Sequence, residues 1–218
     1  MLAGAGGIEQ MKAAVLQLYF ADYIGQWDAF LADVRLVPLG SLDQAARVTN
    51  ALAGADSPLR ALLQAAARET SLEGVKVAGA QGLVDKLVRD KLDSARKQLE
   101  SALGSGEEIV PAAAPLHPVD QHFAALHKLA GGAAPTPLDQ TLTLIKDAAL
   151  YFDAAESARR SGAPAPSNDA LVRLKRGGDG QPAPLSTLLQ NIESGGGTLA
   201  LGSERARLNA LWAGGGAQ

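Results

Sequence analysis

Large apolar residues recur at steps of three and four positions along the first 34 residues of this 218-residue chain. This spacing places them on one face of an α-helix. The face consists of Ile8, Met11, Val15, Leu18, Tyr19, Tyr23, Trp27, Phe30, Leu31 and Val34. The pattern predicts a helix of about seven turns that ends before Pro38, because proline disfavours helical geometry in the residue ahead of it. Since this helix carries much of the aromatic content, we expect it to be the central element of the core.

Composition favours helices along the whole chain. The chain contains 42 Ala and 33 Leu, whereas aromatic residues make up only 4%. Ala and Leu have high helix propensity, and the β-branched and aromatic residues that suit strands are scarce. The sequence therefore predicts an all-α protein that packs through small side chains.

Start signals and further apolar faces divide the rest of the chain into helices. Ser41 begins a capping-box pattern, Ser57-Pro58 is an N-cap followed by proline at the first helical position, and Thr136-Pro137 opens another helix. The later apolar faces are Leu83 to Leu103, Val119 to Leu129, Leu138 to Ala155, Leu171 to Leu174, Leu185 to Ile192 and Thr198 to Trp212. We expect a multi-helix bundle of about eight helices, arranged as one bundle or as two helical subdomains.

A small, polar segment with two prolines interrupts the chain near its middle. Gly104 to Pro115 reads GSGEEIVPAAAP, which is typical of a linker or mobile loop. This segment predicts an N-terminal helical subdomain at 1–103, a linker at 104–117, a C-terminal helical subdomain at 118–213 and a disordered tail at 214–218.

Charge and composition exclude several classes of function. The formal net charge is −3, whereas a protein that neutralises many phosphates carries a basic surplus, so nucleic acid is not an expected partner. The absence of cysteine excludes disulfides, thiolate metal sites and a cysteine nucleophile. No apolar run approaches the roughly 20 residues that cross a bilayer, so any membrane anchor would lie outside this chain.

No motif in the sequence indicates catalysis. The chain has no phosphate-binding loop of the Walker type, no G-x-S-x-G elbow and no H-E-x-x-H pattern. His117, His122 and His127 lie five residues apart, so consecutive members point about 140° apart around a helix and do not converge on a metal. The carboxylates are scattered along charged helix faces. We therefore expect no catalytic, cofactor-binding or metal-binding residue and predict that the chain is not an enzyme.

Two features bear on whether the chain binds a ligand. The aromatic residues Tyr19, Tyr23, Trp27 and Phe30 could line a ligand groove, although their position on an apolar face favours core packing. A sensor-like helical bundle that binds a ligand is therefore the alternative function. Arg159-Arg160 lies near a helix C-terminus, where positive charge complements the helix dipole, and we interpret the pair without a binding role.

Three blocks of sequence, in order, resemble the TssM/IcmF family. The first runs from Leu18 to Leu36 (LYFADYIGQWDAFLADVRL), continues through Ser41-Leu-Asp-Gln-Ala and reaches Asp56-Ser-Pro-Leu and Glu69-Thr-Ser-Leu72. The second is Val119-Asp-Gln-His-Phe123, and the third is Arg205-Ala-Arg-Leu-Asn-Ala-Leu-Trp212. Together they extend over nearly the whole chain.

The resemblance implies a place within a much longer protein, the inner-membrane subunit of the bacterial type VI secretion system. It implies a periplasmic helical domain that precedes a C-terminal β-domain and acts as a structural scaffold of the membrane complex. The implied partners are the outer-membrane lipoprotein TssJ through the adjacent β-domain, TssL through the membrane region, and further copies of the family member itself. No nucleotide-binding role carries over, because the Walker motif is absent here.

Overall fold

The computed structural model describes residues 3–72, 117–132 and 134–215, and these segments contain helices and no strand. The helices are α1 (Ala3–Asp33), α2 (Leu42–Ala53), α3 (Pro58–Glu69), α4 (Pro118–His122), α5 (Ala124–Ala130), α6 (Pro137–Ser161), α7 (Asp169–Gly178) and α8 (Leu185–Gly215). The predicted all-α fold is confirmed. The apolar stripe predicted at Leu83 to Leu103 and the loop predicted at Gly104 to Pro115 lie outside the described residues.

The predicted helix starts are formed by side-chain caps. Ser41 Oγ accepts the Gln44 N–H at 3.1 Å, and Ser57 Oγ accepts the Arg60 N–H at 3.1 Å. Thr136 completes a full capping box, because its hydroxyl accepts the Asp139 N–H while Asp139 accepts the Thr136 N–H. Each cap satisfies backbone donors that have no partner inside the helix.

Helix α6 is the centre of the core in the described residues. It packs against α2, α5, α7 and α8, and α3 packs against α2 and α5. The six apolar positions predicted for α6 are all buried: Leu138, Leu142, Ile145, Ala149, Phe152 and Ala155. Burial of apolar surface drives this packing, so the sequence pattern identified both the helix and its inward face.

The prediction that α1 is the central core element is wrong for the residues that the structure describes. The helix forms as predicted, but most of its large apolar side chains are half or more exposed: Ile8, Met11, Val15, Leu18, Tyr19 and Phe30. Of the α1 side chains that are described, only Leu31, near the C-terminal end, is buried, at 4% exposure. An apolar stripe shows that a helix can bury one face, but it does not identify the surface that covers this face.

The two helices predicted around Leu185 to Ile192 and Thr198 to Trp212 form one continuous helix, α8. Three consecutive glycines, Gly195 to Gly197, lie inside it, although each costs about 1 kcal/mol relative to alanine. The Phe152 ring packs directly on the backbone at Gly196, where an added Cβ atom would lie less than 3.0 Å from two ring carbons. Packing of a buried aromatic ring therefore outweighs the low helix propensity of this segment.

Around Phe123 the structure has more helices than the sequence predicted. The face from Val119 to Leu129 predicted one helix, whereas the chain forms two short helices, α4 and α5, separated by a turn at Phe123. Val119, Phe123, Leu126 and Leu129 are nevertheless all buried. The predicted end of this segment is confirmed, because α5 stops before Gly131.

The chain divides into two compact units. One comprises residues 1–26 with 71–122, and the other comprises residues 27–70 with 123–218. The division into subdomains at 1–103 and 118–213 stays a prediction, because most of the linker at 104–117 lies outside the described residues. Helix α8 extends to Gly215, and the remainder of the predicted tail at 214–218 is not described.

Candidate functional site

The three histidines occupy separate environments. The His117 ring meets the Phe20 ring edge to face, with centroids 4.3 Å apart, and its Nδ1 lies 3.7 Å from Asp120 Oδ2. His122 is exposed, and His127 Nε2 lies 2.9 Å from the buried Thr70 hydroxyl. Since Thr70 donates its own hydrogen to the Ala66 carbonyl, His127 is the donor in this pair.

The environment of His117 disfavours its charged form. Partial burial lowers the pKa of His117 below its ordinary value, and the nearby Asp120 carboxylate only partly opposes this effect. Asp120 itself accepts the Leu72 N–H at 3.0 Å, which ties residue 72 to α4. No group of three or more His, Asp or Glu residues that could hold a metal occurs in the described parts of the chain.

A groove of about 580 Å³ lies where the N-terminus of α2, the C-terminus of α6 and the middle of α8 meet. We call it the arginine groove. Ten residues line it: Ser41, Leu42, Asp43, Glu156, Arg159, Arg160, Thr198, Leu199, Gly202 and Ser203. Its wall therefore combines charged, hydroxyl and apolar groups from three helices.

Glu156 organises the charges of the arginine groove. Its Oε2 accepts Arg159 Nε at 2.7 Å, and its Oε1 accepts Arg159 Nη2 at 2.7 Å and Arg160 Nε at 2.8 Å. The Glu156 side chain is 11% exposed, whereas those of Arg159 and Arg160 are 53% and 66% exposed. The carboxylate is thus covered by two guanidinium groups that face solvent.

Hydrogen bonds from both arginines stabilise the charged form of Glu156. They lower its pKa from 4.5 to about 2, although burial acts in the opposite direction. The same contacts raise the pKa of Arg159. Glu156 and Arg159 are therefore both charged at physiological pH. The E-x-x-R-R spacing, with contacts at i+3 and i+4, could have revealed this cluster in the sequence, where we considered only the arginines.

The C-terminal half of α8 presents an exposed apolar stripe. Leu201, Leu208, Leu211 and Trp212 are between 52% and 86% exposed, and helical geometry places them on one side. Glu204 and Arg207 form an ion pair beside the stripe at 2.5 Å. Contiguous exposed apolar surface of this kind commonly marks a contact surface.

The aromatic residues of α1 do not form a buried groove. Tyr19 is 59% exposed and stacks on Tyr23 at a centroid distance of 6.3 Å. Further along the helix, the half-buried Trp27 meets the half-exposed Phe30 edge to face at 5.6 Å. The core packing predicted for this set is thus wrong for Tyr19 and Phe30.

Comparisons with known proteins agree on one family. A family model described as IcmF-related, intracellular multiplication and human macrophage-killing, matches residues 3–71. The chain is 35% identical over 225 residues to the type VI secretion system component TssM1 of Pseudomonas aeruginosa PAO1. This alignment covers 97% of the chain and 20% of TssM1, so the chain spans about a fifth of that relative. No solved structure matches the chain significantly.

The alignment to TssM1 extends across the region that holds the three sequence blocks resembling the family. The helical structure also fits the predicted helical region, and among the described helices none is long and apolar enough to cross a membrane. Because similarity to TssM1 extends across nearly the whole chain, and the IcmF-related model independently matches its N-terminal residues, the chain belongs to the TssM/IcmF family.

Proposed function

We propose that this chain is a structural component of the type VI secretion membrane complex. The observation that carries the proposal is 35% identity to TssM1 over 97% of the chain. A close-packed helical core, with α6 at its centre, suits a scaffold because such interiors transmit strain with little deformation. No observation on the described residues favours the alternative of a ligand-binding sensor.

The proposed role is not enzymatic. In the segments that the structure describes, the charged side chains form ion pairs within helices or between neighbouring helices rather than a convergent acid, base and nucleophile set. This arrangement supports a role in assembly. The domain would present contact surfaces and hold neighbouring parts of the complex apart.

The location and partners follow from the family and are proposals for this chain. We place the domain in the periplasm, as part of an inner-membrane protein. TssJ would bind through an adjacent β-domain and TssL through the membrane region, while copies of the protein would associate in the complex. The exposed stripe of α8, from Leu201 to Trp212, is one described apolar surface suited to such contacts, and the exposed apolar side chains of α1 form another.

A chimeric TssM1 tests the proposal directly. The segment of TssM1 that aligns with this chain is replaced by the chain itself, and killing of competitor bacteria is measured in a strain that lacks TssM1. We expect the chimera to restore killing. A matched chimera carrying Gly196→Ala, which disturbs the core, is expected to restore less. If the wild-type chimera is expressed at normal levels and restores no killing, the proposed role is wrong.

Light scattering after size exclusion then assigns the contacts. The chain is analysed alone and mixed with the cognate lipoprotein. A monomer that does not co-elute supports a spacer whose partners bind elsewhere in the protein. An oligomer or a co-eluting complex would show that this domain itself carries one of the contact surfaces of the scaffold.

A further inference from the structure

We propose that the arginine groove binds an acidic segment of a partner polypeptide, with a carboxylate of that segment held by Arg160 and Arg159. This inference goes beyond the proposed scaffold function and does not depend on it. It rests on three features of the groove, namely the geometry of its ion cluster, its unused hydrogen-bond donors and the chemistry of its remaining wall.

The ion cluster does not join different helices. Glu156, Arg159 and Arg160 all belong to α6, at positions i, i+3 and i+4. Exposed ion pairs within one helix contribute little to stability, whereas burying a carboxylate has a cost. The cluster therefore stabilises α6 locally and joins no two helices. What the contacts do achieve is to fix two guanidinium groups at the wall of the groove.

Several donors of these two guanidinium groups have no hydrogen-bond partner in the part of the chain that the structure describes. Arg160 contacts Glu156 through Nε alone, so neither of its Nη atoms has a partner among the described residues. Arg159 engages Nε and Nη2 there but not Nη1. Paired guanidinium N–H groups match the two oxygens of a carboxylate. Because the arginines are already oriented by Glu156, a ligand would lose little side-chain entropy on binding them.

The charge balance of the ion cluster favours an anion. Two arginines face one glutamate, which leaves one positive charge in the cluster. Asp43, the other acid in the wall, is paired with Arg47, which lies outside the lining. A basic ligand would compete with the arginines for the Glu156 carboxylate that they already hold. The surplus positive charge of the cluster therefore favours an acidic ligand.

The rest of the wall favours a polypeptide over a small ion. Leu199 supplies apolar surface, whereas Leu42 is 4% exposed, and Ser41, Thr198 and Ser203 supply hydroxyl groups. A groove of about 580 Å³ is far larger than one phosphate ion requires. An extended segment that alternates acidic and apolar side chains would satisfy both the arginines and Leu199.

Two blocked peptides test this assignment on the 218-residue chain. The acidic probe is acetyl-Leu-Glu-Leu-Glu-Leu-amide, and the neutral probe carries Gln in place of each Glu. Binding is followed by amide chemical shifts in ¹⁵N-labelled protein, with inorganic phosphate as a third probe. The variants are Arg160→Gln, Arg160→Lys and the control Arg173→Gln, since Arg173 is similarly exposed and pairs with Asp147 away from the groove.

We expect the acidic peptide to shift amides of the groove, including Leu42, Thr198 and Ser203, and to bind at least tenfold more tightly than the neutral peptide. Arg160→Gln should weaken binding about tenfold. Arg160→Lys should recover only part of that loss, because lysine lacks the paired N–H donors of a guanidinium group. Arg173→Gln should leave binding unchanged. No shift in the groove, equal binding of the two peptides, or equal loss in the Arg173 control would each overturn the proposal. Phosphate that reproduces the same shifts with equal affinity would also overturn it, because the site would then be a simple anion site.

Discussion

Substitution of Gly196 by alanine tests whether the Phe152 ring determines the path of α8. A Cβ atom at this position would lie less than 3.0 Å from ring atoms Cζ and Cε1 and 3.4 Å from Cε2. Carbon atoms pack at about 3.5–4.0 Å. Phe152 is fully buried, so its ring has no open space into which it can retreat.

Two effects of opposite sign determine how much Gly196→Ala changes the free energy of unfolding. Overpacking a core typically costs about 1–3 kcal/mol, and the depth of this overlap argues for the upper end of that range. Replacing glycine by alanine inside a helix contributes about 1 kcal/mol in the favourable direction. We therefore expect a net loss of about 2 kcal/mol, which for a chain of this size corresponds to a fall in Tm of about 4–8 °C.

Gly197 provides a matched control one residue away. A Cβ atom at Gly197 would have no described atom within 4 Å, so Gly197→Ala should raise stability by up to about 1 kcal/mol through helix propensity alone. Both variants are compared by thermal melting and by urea unfolding, followed by circular dichroism. If Gly196→Ala proves as stable as Gly197→Ala, the reasoning on the Phe152 contact is refuted.

Four further substitutions test other features. Glu156→Gln should lower stability at pH 7, because the lowered pKa of Glu156 makes its charged form stabilising. The difference from wild type should vanish as the pH falls from 4.5 to about 2. A difference independent of pH in urea unfolding would contradict this. Thr136→Ala removes the α6 cap and should cost about 1 kcal/mol in urea unfolding, and no loss would mean that the cap is dispensable. Trp212→Ala should change the free energy of unfolding by less than about 0.5 kcal/mol, since the Trp212 side chain is 86% exposed. A larger loss in thermal melting would show that this side chain is covered. Trp27→Ala, at a half-buried position, should cost about 2 kcal/mol rather than the 3–5 kcal/mol of a core tryptophan, and the full core value would restore the prediction of a buried α1.

The sequence predicted α6 well because several local signals agree there. Thr136 and Pro137 mark its start, six apolar residues mark its inward face, and Gly162 ends it with a positive φ of 72°. Helix α1 has an equally strong stripe, yet its exposure could not be predicted. Periodicity describes one helix, whereas burial depends on which other segments reach it.

The continuity of α8 was not predictable for a different reason. Intrinsic propensity treats Gly195 to Gly197 as a break. The contact that favours helix there comes from Phe152, 44 positions earlier in the chain, and a Cβ atom added at Gly195 would lie 3.6 Å from Leu39 Cδ1. Long-range packing of this kind leaves no local mark in the sequence.

Part of the arginine groove could be predicted from the sequence. The spacing of Glu156, Arg159 and Arg160 indicates contacts along one helix, and the helix-dipole interpretation of the arginines accounted for only part of their environment. Convergence of α2 and α8 on the same surface required the folded chain. The groove therefore combines a local signal with a tertiary arrangement that the sequence did not show.

The uneven burial of α8 also has a mechanical consequence. A helix of 31 residues is about 46 Å long, and its first half is anchored by Leu185, Leu188, Leu189 and Ile192. Beyond Ala200 the large apolar side chains of the helix are exposed. Glu204 on the second half accepts the Ala165 N–H at 3.3 Å, so this half is tied to the rest of the chain mainly by a polar contact. A force on the second half would act as a torque on the first half, and the glycine triplet is the kind of position at which helices kink.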